Sequence, residues 1–302
     1  GMFLLLGVAR GAVLFLWSLR LHGPGGALFS VSLFVFCPNI LAHSQLITSD
    51  IAFSLTLLLA VASLWWLYQR LTWPRLLVGG LCLGLLALAK MSAILVLPML
   101  VLMMAGRLGY GPAVLEIRGP FVTHALSSRL SQGLALGLAS LIAGLLALGV
   151  IWLGHGFQGG SLPSSAYFAW EEQLGHSGFL CPLIHWAKEL GLAPQSYLYG
   201  LAHTLAYAVN RPTFFAGHYG IFSSPWFFPY AVLVKTPLAT LLVFLLGILG
   251  LVRRRPLTSR SGTGTPAWYP LLPLLILILV YGGFALTASI NIGHRHILPI
   301  YP

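Results

Sequence analysis

Long apolar runs, broken at intervals by a turn or a single basic residue, dictate what this 302-residue chain can become. A membrane-spanning helix needs about 20 apolar residues, and a few fewer where the helix is short. Eight runs approach that measure: Met2 to Leu19, Ala27 to Ala42, Ile51 to Tyr68, Leu76 to Ala89, Met91 to Ala105, Gln132 to Leu153, Pro229 to Val252 and Trp268 to Leu286. Only 7% of the residues are charged, where a soluble domain carries roughly 25%. The expected class is therefore an all-α polytopic membrane protein of about eight transmembrane helices. Residues 1–154 are expected to form the N-terminal part of the bundle, with about six spans. Residues 155–228 read as a large extracytoplasmic loop, and 229–302 as a transmembrane hairpin with a basic segment after it.

The joints between runs carry the topology. Arg20, then Arg70 and Arg75, then Arg107, Arg118 and Arg129, then the cluster Arg253, Arg254, Arg255 and Arg260 fall in alternate connections. They are ten of the 16 basic residues, and an excess of Lys and Arg marks the cytoplasmic side. Asp50, Lys90, the loop from His155 to Phe228, and His294, Arg295 and His296 then share the outer face. The net charge of +11 is accounted for by topology and by lipid headgroups, so membrane lipids are expected partners and nucleic acid is not. Cys37, Cys82 and Cys181 lack metal or disulfide spacing. The chain begins at Gly1 with no signal peptide and stops at LPIYP within apolar sequence, so it is expected to be a fragment of a longer protein.

Acids are scarce, 5 Asp and Glu in all, and Asp50 lies at an outer joint after Thr48 and Ser49. It is either the N-cap of the following helix, worth about 1 kcal/mol, or a carboxylate in an outer-face pocket. His43 is a candidate for the rim of such a pocket. Lys90 interrupts an apolar run; it either snorkels to the interface or faces a cavity with an anionic partner brought from elsewhere. Lys235 precedes Pro237 and lies close to the same face. The segment NIGHRH supplies Arg295, whose fork suits a phosphate, flanked by His294 and His296. A zinc site is a weaker reading, because two His at i, i+2 do not share a helix face; a divalent metal stays open. The 155–228 loop mixes Trp170, Glu171, Glu172, Tyr197, Tyr199, Tyr207, Asn210, His218, Tyr219 and Trp226. Such a mixture suits sugar binding, or an amphipathic helix lying on the membrane.

Four stretches occur in order: PNILAHSQLITSDIAFSLTLLLA, GLCLGLLALAKMSAILVLP, GHYGIFSSPWFFPYAVLVKTPLATLL and NIGHRHILPIYP. Together they resemble the polyprenyl-phosphate-dependent glycosyltransferases of the GT-C fold. The nearest group is the protein O-mannosyltransferase and aminoarabinose-transferase-like family. The resemblance implies a GT-C-type bundle that moves a sugar from a polyprenyl-phosphate donor to a protein, lipid or glycan acceptor at the extracytoplasmic face. In a bacterium that places it in the plasma (inner) membrane. By resemblance Asp50 is the catalytic acid of the first stretch, and Lys90, Lys235 and Arg295 bind the donor phosphate. His43, His294 and His296 stand at the rim. The family also carries an additional first span and an acidic first outer loop, so its main catalytic base is expected to precede Gly1. A transporter or flippase, or a non-catalytic membrane subunit, is the rival reading.

Overall fold

The computed structural model describes residues 2–46, 48–119, 123–158, 180–209, 212–221, 224–253, 265–287 and 293–301. The protein is an all-α, multi-pass membrane protein. Five described helices are long and apolar enough to cross a membrane, and a sixth is added if one sharply bent pair counts as a span. Outward-facing leucines on α6 (Arg129–Gly154), namely Leu130, Leu134, Leu138, Leu141 and Leu145, present the lipid-facing side such a helix requires.

The first helix, α1 (Met2–Val35), is folded in half at Gly23. A straight helix of that length would run about 51 Å, well beyond a hydrocarbon core of about 30 Å. Instead Ser18 Oγ and Ser30 Oγ lie 2.9 Å apart and the Arg10 guanidinium stands 5.4 Å from the Phe34 ring centre. The two arms are therefore antiparallel neighbours. Gly23 has φ 74° and ψ −173°, a region that a Cβ all but forbids, and Pro24 starts the second arm. The expected turn is present. The expected second span, Ala27 to Ala42, is not continuous: the arm stops at Val35 and a short α2 (Pro38–Gln45) follows. Cys37 is extended, as a residue before proline prefers.

Helix α3 (Ser49–Gln69) is the centre of the core, buried nearly all round by Phe53, Leu57, Ala60, Val61, Leu64 and Leu67. Helix α4 (Trp73–Ala89) packs between α3 and α6. Its Gly80 and Gly84 face Leu146 and Val150 so closely that a Cβ would approach to 2.5 and 2.4 Å, so the small residues set the spacing. Lys90 ends α4, a 3-10 turn (Met91–Leu95) follows, and α5 (Val96–Tyr110) returns.

The expected polar segment after α5 holds a small sheet. Strand β1 (Leu71–Thr72) pairs in parallel with β2 (Leu115–Arg118), which pairs antiparallel with β3 (Thr123–Leu126). Arg107 is fully buried beneath it and donates to the carbonyls of Tyr68, Pro112 and Val114. Gln132, also buried, donates to the carbonyls of Ala113 and Leu126. These two side chains satisfy backbone groups that the short strands leave over.

In the 155–228 region the described residues form α7 (Cys181–Glu189), α8 (Gln195–Val209) and a hairpin of β4 (Thr213–Phe215) with β5 (His218–Gly220). Helices α7 and α8 close on each other through Ile184, Leu198 and Ala202. Trp170, Glu171, Glu172 and Asn210 lie outside the described residues. The expected seventh span is broken: α9 (Phe227–Lys235) and α10 (Leu238–Arg253) meet at 114°. Pro237 cannot donate to a helix ladder and drives Thr236 into an extended conformation, which ends α9. Arg254, Arg255 and Arg260 lie outside the described residues. A 3-10 turn (Tyr269–Leu271) leads into α11 (Leu272–Thr287), and a second 3-10 segment (His294–Ile300) follows the undescribed residues 288–292.

Candidate functional site

Asp50 occupies the first turn of α3, with Thr48 at the N-cap and no capping bond from a side chain. The cap reading of Asp50 is thereby excluded. Its carboxylate is turned inward, with 6% of the side chain exposed. Lys90 Nζ donates to Asp50 Oδ1 at 2.8 Å. Arg295 Nε stands 3.9 Å from Oδ2. The helix N-terminus adds a favourable field for the carboxylate. Lys90 therefore does find an anionic partner far away in sequence, brought to it because α3 and α4 are antiparallel neighbours. Its extended backbone, φ −166° and ψ 143°, carries the side chain off the end of α4 and over the Phe53 ring, 5.7 Å from its centre.

Lys235 ends α9 at the 114° corner. Asn39 Nδ2 of α2 donates to its carbonyl at 2.8 Å, which ties the corner to the start of α2. The Lys235 ammonium is exposed, forms no salt bridge among the described residues, and is felt by both His43 and His294. Burial holds the His43 imidazole below its usual range; Asp50 opposes that, while Arg295 and Lys235 reinforce it. Burial, then Lys235 and His43, push His294 down to about 4, against a backbone hydrogen bond at Ala231. Both environments favour the neutral ring. His294 Nε2 is hydrogen-bonded to Tyr301 Oη, which meets Thr236 Oγ1 at 2.9 Å.

Six of the seven expected residues thus gather at one end of the bundle. Two cations face one carboxylate there and Lys235 stands near the adjoining histidines, so the cluster carries an excess of two positive charges. His296 is turned elsewhere, into an adjoining cavity of about 100 Å3 with Ser92, Thr204, Phe228 and Tyr281 on its wall. Among the described residues, no group of three or more His, Cys, Asp or Glu side chains is disposed to hold a metal ion. The donor set at Asp50 is also unsuited to a divalent cation, since both oxygens already face cations.

Arg10 is the residue that sequence reasoning passed over. It is completely buried within α1, and its Nη2 donates to the Leu298 carbonyl at 2.7 Å, while Nε and Nη1 meet no acceptor among the described residues. It fastens the segment carrying His294 and Arg295 to the first helix. A lone cation inside an apolar run commonly faces the bundle interior, and that signal was available. Asn39, Thr236 and Tyr301 gave no comparable one.

Compared with known proteins, the chain matches no family model, no curated protein and no solved structure.

Proposed function

We propose that the protein is a membrane glycosyltransferase of the GT-C type, moving a sugar from a polyprenyl-phosphate donor to a protein, lipid or glycan acceptor. One observation carries the reading: Lys90 and Arg295, from separate parts of the chain, converge on a single carboxylate where the apolar bundle meets its polar end, and Lys235 from a third part stands near the adjoining His43 and His294. In the reaction the acceptor oxygen bonds to the anomeric carbon, the bond from that carbon to the phosphate oxygen breaks, and the electron pair leaves on polyprenyl phosphate. Charge grows on that phosphate, and preorganised cations stabilise it most in the transition state. Asp50 is a positioning residue here, holding Lys90 and Arg295 in register. His43, whose burial favours the neutral ring, is the group in the cluster able to take the acceptor's proton. The site faces the extracytoplasmic side of the membrane under the positive-inside rule.

The test is transfer of radiolabelled sugar from polyprenyl-phosphate donors in membranes containing the protein. A Lys90→Ala, Arg295→Ala double variant is expected to lose transfer while remaining folded, and His43→Gln to lower it by 10²-fold or more. Wild-type turnover in the double variant would sink the proposal. A second reading, a lipid or solute transporter, draws support from the broken α9–α10 pair, since such breaks line transporter sites. Donor-independent movement of a labelled lipid across proteoliposomes, with no sugar released, would favour it.

A further inference from the structure

At the end of the bundle opposite Asp50, a second junction of charge and apolar surface lies between α4, α6 and the three-stranded sheet. A cavity of about 230 Å3 opens there. Leu67, Leu76, Ala135 and Ile142 form its walls, and Trp73 and Arg118 stand on its lining as the large interfacial side chains. From Ala135 to Ile142 it follows α6 for about 10 Å, at ~1.5 Å per residue. Leu138, exposed beside it, keeps it open to the lipid-facing side.

The polar edge of this cleft is basic. Arg70 Nε lies 2.9 Å from Glu116 Oε2 and Arg118 Nη2 lies 3.5 Å from the same oxygen. Arg75 Nη1 donates to the carbonyls of Trp66 and Arg70 at 2.8 and 3.4 Å, with its guanidinium 4.5 Å from the Trp66 ring centre. Arg70 and Arg118 thus share one carboxylate, and Arg75, held by backbone carbonyls alongside, brings the group to an excess of two positive charges. Arg118 keeps 54% of its side chain exposed, so it has donors to spare.

We propose that this cleft binds an anionic phospholipid, with the headgroup phosphate on Arg118 and Arg70 and one acyl chain between α4 and α6. Guanidinium forks match phosphate oxygens, and basic pockets between spans take anionic headgroups. A zwitterionic headgroup would bring its own cation to a site already in positive excess. A free phosphate would leave the apolar cleft empty. Trp66 and Trp73 sit at the level where aromatic side chains meet headgroups. The inference is independent of the proposed glycosyl transfer and of which side of the membrane this end faces.

Native mass spectrometry of the full chain in mild detergent tests it, using dioleoyl-phosphatidylglycerol, dioleoyl-phosphatidylcholine and sn-glycerol 3-phosphate as probes. One phosphatidylglycerol is expected to be retained in preference to phosphatidylcholine. That preference should fall roughly fivefold for each of Arg70→Gln and Arg118→Gln. Ala135→Phe, which fills the cleft and spares every arginine, should abolish it. Equal retention of the two lipids overturns the proposal, as does a preference that survives in the Arg70→Gln, Arg118→Gln double variant. Displacement of the lipid by an equal concentration of glycerol 3-phosphate would also overturn it, because the cleft would then contribute nothing. The two arginines are surface residues, so their variants decide the question even if Ala135→Phe fails to fold.

Discussion

Arg10 and Asp50 illustrate how differently two charges inside an apolar bundle can be handled. Asp50 has cations on both oxygens, whereas among the described residues Arg10 has a single carbonyl for its five N–H donors and the face of Phe34 for the rest. Removing one partner of a buried pair costs more than the pair itself contributes. Asp50 is thus the residue on which the cluster's order depends. His294 gives the cluster a dependence on pH. Its folded pKa of about 4 lies below the unfolded value of about 6.5. Between those limits the unfolded chain takes up a proton that the folded one refuses. Stability is therefore whole above pH 6.5 and falls as the pH drops towards 4, by on the order of 3 kcal/mol. The downward shift of His43 acts in the same direction. Thermal unfolding in detergent at pH 7.5, 6 and 4.5 should show the decline. His294→Gln, which can still meet Tyr301, should flatten it.

Among the elements, the hairpin of α1 depends on one torsion. Gly23→Ala would force a Cβ into φ 74°, and a destabilisation of about 1–2 kcal/mol is expected. A melting temperature equal to wild type would mean that the turn rearranges at no cost. This turn was legible in the sequence, because glycine and proline cluster between two apolar runs. The long apolar helices were legible for the same reason, and so were Asp50 and Lys90 as sharers of one end. The small sheet was not: β1 has two residues and β2 and β3 have four each, too few for an alternating pattern to rise above a polar loop. The α9–α10 corner was signalled by Pro237 but read through, since apolar residues continue on both sides of it. The inward turn of Arg10 and the departure of His296 into its own cavity are matters of packing, which no local pattern encodes.

For the whole molecule, the segregation of charge into two ends makes orientation measurable. With Cys37, Cys82 and Cys181 replaced, Gln158→Cys and Ser128→Cys each present one exposed thiol, at the Lys90 end and at the sheet end of α6 respectively. A membrane-impermeant maleimide added outside intact cells is expected to label only the first. Labelling of both would overturn the alternating topology drawn from the arginines. The pairing of β1 with β2 adds a constraint of parity. Hydrogen bonds cannot reach across a bilayer, so Leu71 and Arg118 must lie on one face. The intervening chain must then cross an even number of times. If the segment Met91–Tyr110 crosses, α4 must cross as well, although its 17 residues rise only about 26 Å. Two residues of strand thus commit a helix of marginal length to the membrane, a shortfall that local thinning of the bilayer or snorkelling of the flanking residues meets.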